Sequence, residues 1–294
     1  MELEFYKLSG AGNDFVAVNN MDGKVPEDGR GELVSQWCHR GMGIGADGVL
    51  FLEPPSGGRA NFRMRYYNAD GGEAETCGNG SRCIARFAFQ QGVAPHDMIF
   101  ETMAGKYRAE ILPGGDVKVQ MTDAHHLRSP VVIPDGPFQG DVHFVNTGVP
   151  HVVILVDSVS EADVVNVGRY LRHHNEFAPA GANVNFVEIT GPSDLNVRTY
   201  ERGVEDETLA CGTGCIASSI IAARAGKVSS PVTVKTAGGE FLTVDFSPTA
   251  DGAEDVTLQG SAHIVYRGFV PLHITGRHEH HPSEHAAEIE SLHL

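Results

Sequence analysis

Positive charge is scarce in this chain. Lys and Arg number 22 against 38 Asp and Glu, a net charge of −16 over 294 residues. Binding to a phosphate backbone needs a basic face, so this balance argues against nucleic acid as a partner. Long apolar runs are also missing. The longest, such as 152–156, span a few residues, whereas a membrane helix takes about 20. The opening Met1-Glu2-Leu3-Glu4 has neither the basic start nor the apolar stretch of a signal peptide. Cysteines are few and odd in number: Cys38, Cys77, Cys83, Cys211 and Cys215. Such a count does not make a disulfide scaffold in a chain this long. The expectation is a soluble, cytoplasmic protein with reduced thiols and no membrane partner.

What is present is enough to fold. Hydrophobic residues make up 41% of the chain, too many for a disordered one. The 35 glycines are about 12% of residues against a usual ~7%. They follow no three-residue period, so they mark tight turns or backbone that approaches a ligand closely. Short β-branched segments bounded by Gly, Pro or Asp predict strands at 15–18, 49–52, 62–67, 117–121, 152–156, 184–189, 197–200, 232–235, 241–246 and 263–266. A Pro-Gly-Gly turn predicts that 106–112 and 117–121 form a hairpin. Helices are expected at 32–40, 78–90, 162–173 and 212–225. The second and fourth are apolar around most of their circumference, as buried helices are. The first and third are mixed and peripheral.

Those two apolar helices begin alike. Cys77-Gly78-Asn79-Gly80 opens one and Cys211-Gly212-Thr213-Gly214 the other, 134 residues apart. Asn68-Ala69-Asp70-Gly71 precedes the first, Glu201-Arg202-Gly203 the second. A fainter echo links Gly10-Ala11-Gly12-Asn13-Asp14-Phe15 with Gly181-Ala182-Asn183-Val184-Asn185-Phe186. The fold expected is α+β, with two pseudo-symmetric domains, each a mostly antiparallel, barrel-like sheet around a central buried helix. Residues 1–123 plus 262–271 would form the domain carrying Cys77, and 124–261 the domain carrying Cys211. The Pro-rich stretch 129–137 lies near the junction. Residues 272–294 read as a polar tail, poorly ordered or a short amphipathic helix near 286–292. Six of the 15 histidines fall there, but their spacing is irregular and no cysteine joins them, so no metal site is assigned.

A thiol at a helix start meets unpaired N–H groups and the positive end of the dipole, which favour the thiolate. The same N–H groups bind carboxylates. One such site could hold a nucleophile. Two matching sites facing each other would flank one molecule from opposite sides. One thiolate could then remove a proton from a carbon while the opposite thiol returns one to the other face. Configuration inverts, and no electron-sink cofactor is required. Zinc is a poor fit, since Cys77/Cys83 and Cys211/Cys215 are not C-x-x-C pairs. Gly41-Met42-Gly43-Ile44-Gly45-Ala46-Asp47-Gly48 lacks the spacing and Lys of nucleotide loops. Cys38, Cys83 and Cys215 read as buried structural residues.

At these residues the sequence resembles the diaminopimelate epimerase family, from about residue 7 to 269. The resemblance is carried by Gly10-Ala11-Gly12-Asn13-Asp14-Phe15, Gly43-Ile44-Gly45-Ala46-Asp47, Tyr67-Asn68-Ala69-Asp70-Gly71, Pro150-His151, Gly181-Ala182-Asn183, Tyr200-Glu201-Arg202-Gly203 and the two Cys-Gly-x-Gly starts. It implies a cofactor-independent interconversion of L,L- and meso-diaminopimelate, serving lysine and peptidoglycan synthesis, with an amino acid as the small-molecule partner and a possible homodimer. It implies Cys77 and Cys211 as acid/base residues. Glu201 would hold the substrate ammonium and support catalysis, and His151 would assist near the reacting centre. Gly78, Asn79, Gly212 and Thr213 would supply donors to the reacting carboxylate. Asn13, Asn68, Asn183 and Arg202 match substrate-binding positions. Arg202 suits a distant carboxylate, which a guanidinium grips with two parallel hydrogen bonds. Many relatives carry Asn before Pro-His and Gln after the Gly-Ile-Gly-x-Asp run. Here Val149 and Gly48 stand there, leaving Asn146, Thr147 or a main-chain group to compensate. Two other readings stay open: a racemase of another amino acid such as proline on the same scaffold, and a binding protein for a dicarboxylic amino acid with inert thiols.

Overall fold

The computed structural model describes residues 2–74, 77–134, 136–138 and 140–272. The first half runs β1 (Glu2–Gly10), β2 (Asn13–Asn19), α1 (Arg30–Cys38), β3 (Gly48–Glu53), β4 (Phe62–Asn68), β5 (Glu73–Ala74), α2 (Gly78–Gln90), β6 (Asp97–Thr102), β7 (Gly105–Ile111) and β8 (Val117–Gln120). The second runs β9 (His125–Ile133), β10 (Gly140–Asn146), β11 (Pro150–Val156), α3 (Val164–Arg172), β12 (Asn183–Gly191), β13 (Asp194–Glu201), β14 (Asp206–Thr208), α4 (Gly212–Arg224), β15 (Val232–Thr236), β16 (Phe241–Pro248), β17 (Ala253–Gly260) and β18 (His263–Pro271). The fold is α+β, rich in strands and poor in helices. Among the described residues, no helix is long and apolar enough to cross a membrane.

Strand pairing repeats between the halves. In the first, β1 is antiparallel to β2, β2 parallel to β3, β3 antiparallel to β4, β4 parallel to β6, and β6–β7–β8 antiparallel. In the second, β10, β11, β12, β13, β15, β16 and β17 follow the same sequence of senses. Each parallel pair needs a crossover, and α1, α2, α3 and α4 supply the four. The last strand, β18, returns to pair with β1, as β9 pairs with β10. β8 joins β17 antiparallel, so one sheet is continuous through both halves.

This pairing corrects the fainter sequence echo. Asn13 opens β2, whose counterpart is β11, whereas Asn183 opens β12, whose counterpart is β3. The Asn13 turn therefore matches the turn at Thr147, and the two Gly-Ala-(Gly)-Asn runs resemble each other only because both are turns before a strand. The Pro-rich stretch also differs from expectation. Residues 125–133 form edge strand β9, a position that tolerates Pro130 because an edge N–H need not pair. The expected tail lies outside the described residues, apart from Leu272.

Helices α2 and α4 bury their apolar faces in one shared cluster rather than in two separate cores. Ile84, Phe87 and Ala88 of α2 and Ile216, Ile220 and Ile221 of α4 belong to it. Each large side chain buried there contributes about 1.5–3 kcal/mol. Helices α1 and α3 cover the outer faces through Leu33, Val34 and Trp37 and through Val164 and Leu171. Buried α2 also carries a charge: Arg82 is fully inside the protein.

Candidate active site

The N-termini of α2 and α4 converge. A methyl group on Gly78 or on Gly212 would meet the same Leu258 side chain, and one on Gly212 would also lie 3.5 Å from Asn79 Oδ1. Between the halves lies a cavity of about 430 Å³. The first half lines it with Asn13, Tyr66, Asn68, Cys77, Gly78 and Asn79, and the second with Thr147, Val149, Asn183, Glu201, Arg202, Cys211, Gly212 and Thr213. Every residue expected at the site is brought together there except His151. Tyr66, Tyr107 and Met121 join the wall without a motif to mark them. Tyr66 could have been found from alternation along β4, two residues before Asn68.

Each cysteine caps its helix in extended backbone (φ −143° at Cys77, −124° at Cys211). The first helical bonds run from Ser81 N–H to the Cys77 carbonyl and from Cys215 N–H to the Cys211 carbonyl. Gly80 N–H donates to Cys77 Sγ at 3.4 Å, and Cys211 Sγ lies 3.5 Å from Thr213 Oγ1. The N–H groups of Gly78, Asn79, Gly212 and Thr213 precede these bonds, at the end of the helix where backbone donors face outward. Gly214 is required for packing, since a methyl group there would lie 3.3 Å from Cys211 Sγ and drive into Asn185 Oδ1.

The helix starts do not lower the thiols overall. Burial raises both, most at Cys211, and the Glu201 carboxylate adds to it; the N–H groups of Gly80 and Gly214 pull the other way. The sequence expectation counted the dipole but not desolvation, which disfavours the charged form. Cys83 and Cys215, with no share of the cavity wall, are pushed up to about 12 by burial, and Cys38 to about 11. Burial likewise raises Glu201, against a hydrogen bond from Thr208 Oγ1 at 2.8 Å.

His151 sits behind the wall on β11, fully buried. Asn185 Nδ2 donates to the Val152 carbonyl at 2.9 Å and faces His151 Nδ1 at 3.1 Å, while Asn185 Oδ1 accepts from Thr199 Oγ1. That network makes His151 Nδ1 an acceptor, so the neutral ring carries its proton on Nε2. Burial, aided by the Arg202 charge, lowers its pKa to about 3. Val149 precedes β11 and lines the cavity, whereas His151, inside the strand, is fully buried and does not. Of the groups expected to replace the missing Asn, Thr147 lines the cavity. Asn146 does not, because its Oδ1 accepts from Gly148 N–H at 2.9 Å.

The family model for diaminopimelate epimerase matches residues 5–127 and 143–265. This chain belongs to the diaminopimelate epimerase family. It is 43% identical over 274 residues to the diaminopimelate epimerase of Aquifex aeolicus, covering 90% of this chain and 97% of that protein. It is 43% identical over 270 residues to that of Chlorobaculum tepidum, covering 90% and 100%. Among solved structures, a phenazine biosynthesis protein of the PhzF family from Bacillus anthracis superposes with a TM-score of 0.72 at 14% identity, over 92% of this chain and 100% of that one. A probable proline racemase from Agrobacterium radiobacter superposes at 0.67 with 17% identity, over 92% and 93%. At such identity these two share the fold.

Proposed function

We propose that this protein interconverts L,L- and meso-diaminopimelate, by moving a proton between Cys77 and Cys211 across one α-carbon, in the supply of lysine and peptidoglycan precursors. The observation that carries this reading is the convergence of two thiol-capped helix starts on one cavity, each from an equivalent place in its half. One thiolate takes the α-proton; the opposite thiol gives its own proton to the other face; the carbon is left inverted. The enzyme then holds the reverse protonation pattern, ready for the back reaction.

Negative charge accumulates on the α-carboxylate as the proton leaves. The backbone N–H groups of Gly78, Asn79, Gly212 and Thr213 are the donors suited to it. A substrate ammonium beside Glu201 offsets the carboxylate that raises both thiols, which makes the thiolate accessible once the amino acid is bound. Arg202 serves the distant carboxylate, and Asn13, Asn68 and Asn183 orient the two amino-acid ends. His151, neutral and behind the wall, packs the second half's side rather than exchanging protons. The chemistry needs no cofactor or metal, and a cytoplasmic, reducing setting keeps the thiols active.

The test is exchange in heavy water. Reduced protein is incubated with L,L-diaminopimelate and a chelator, and mass spectrometry with chiral separation follows the α-carbons. Deuterium entering one α-carbon as the meso form appears is the expected result. No exchange with the thiols titrated as free would overturn the reading.

A further inference from the structure

The cavity wall contains a chain of hydrogen bonds that runs in one direction. Arg82 Nη2 donates to Asn79 Oδ1 at 2.8 Å. Asn79 Nδ2 donates to Asn13 Oδ1 at 2.7 Å. Asn13 Nδ2 donates to Asp47 Oδ2 at 2.9 Å. Arg40 Nη2 closes the outer end on Asp47 Oδ1 at 2.7 Å. Arginine can only donate and an ionised aspartate can only accept, so the two ends leave the amides between them a single orientation. Reversing Asn79 would set its oxygen against Asn13 Oδ1, which Asp47 prevents from turning.

We infer that Arg82, together with Asp47, is a positioning residue that fixes the polarity of the Asn79–Asn13 pair. The pair then presents one donor, the second Asn79 N–H, beside one acceptor, the second lone pair of Asn13 Oδ1. A carboxylate beside an ammonium, the two groups of an α-amino acid, needs that juxtaposition. The inference rests on the functional reading above for its ligand, though not for its geometry.

Two further observations support it. Arg82 is fully buried on α2, whose other buried residues carry no charge, and its Nε has no partner among the described residues. Replacing buried charge by apolar side chains of similar size is often neutral or stabilising, so stability does not explain a guanidinium there. The matching place on α4, 134 residues on, is Ile216. No clamp is needed in that half, because the counterparts of Asn79 and Asn13 are Thr213 and the Thr147 turn, where Thr147 Oγ1 donates to the Thr213 main-chain carbonyl at 3.4 Å and no side-chain amide has to be oriented.

The test uses the full-length protein and two independent readouts. The first is ligand-free: the Asn79 side-chain amide is followed by NMR in asparagine-labelled protein, assigned with Asn79→Ala. Wild type should give a protected, slowly exchanging amide, and Arg82→Met should lose it without a fall in unfolding temperature. The second is steady-state turnover of diaminopimelate. Arg82→Met should lower kcat/KM by about 10- to 100-fold, the scale of one hydrogen bond to a charged group, mostly through KM. In the Asn79→Ala background the same change should add nothing. An unchanged Asn79 amide in Arg82→Met, or losses that simply add, would overturn the inference. If Arg82→Met does not fold, the amide readout on Arg82→Lys decides: its ammonium still donates, so a retained signature supports the clamp and a lost one overturns it. Wild type inert toward diaminopimelate, with an amide that still answers to Arg82, overturns the functional reading alone.

Discussion

His151 gives a prediction whose size can be worked from its surroundings. The ring is fully buried, and its pKa falls from 6.5 to about 3. In the unfolded chain a histidine titrates near ~6.5. Between these values the unfolded state binds a proton that the folded state refuses. The stability owed to the neutral ring is therefore complete above the unfolded pKa and is lost as pH falls toward the folded one. The whole displacement corresponds to about 5 kcal/mol, and linkage places about 2 kcal/mol of it between pH 7 and pH 5. Urea unfolding of wild type and His151→Gln, measured across that range, checks it. Glutamine keeps a polar group beside Asn185 but does not titrate, and the carboxylates titrate in both proteins. Wild type should lose about 2 kcal/mol more than the variant on going to about pH 5. Parallel stability curves would refute the claim that the protein holds this ring neutral by burial.

Two more outcomes follow from the site. Mild oxidation should abolish turnover and a thiol reductant should restore it, because both thiols line one cavity; full activity in protein shown by mass to carry a Cys77–Cys211 bridge would sink the two-thiol mechanism. Gly214→Ala should destabilise by about 1–3 kcal/mol despite the ~1 kcal/mol that alanine gains over glycine in a helix, since the new methyl group drives into Asn185 Oδ1; calorimetry showing equal or greater stability would mean that Asn185 can yield.

The parts legible in sequence were those whose residues carry their own chemistry. The paired Cys-Gly-x-Gly starts revealed both buried helices, the repeat and the thiols, because glycine beside a capping residue at the head of an apolar helix has few other uses. The strands were legible where β-branched residues cluster, as in 49–52 and 184–189. Strand β9 was not, because Pro130 and Arg128 suit an edge and erase the pattern on which a strand is recognised. The fainter repeat was misplaced for a related reason: glycine-rich turns look alike, and only the pairing of β2 with β3 and of β11 with β12 tells which turn matches which.

Desolvation and direction were beyond sequence altogether. A helix start and a buried cavity pull a thiol's pKa in opposite ways, and only the depth of burial decides which prevails. The same limit applies to Arg82. In sequence it sits among Ser81, Cys83 and Ile84 as an ordinary helical arginine, and nothing distinguishes it from Arg86, four residues on. Its placement inside, against the side-chain oxygen of Asn79, turns it from a surface charge into the fixed end of a hydrogen-bond chain. The halves of this protein are thus alike in backbone and thiol but unlike in how they orient their polar walls, one by a buried cation and the other by main-chain groups. Under the proposed reaction, that difference suits a substrate with one reacting end and one distant end: the repeat would supply the matched acid and base, and the departures from it would tell the ends apart.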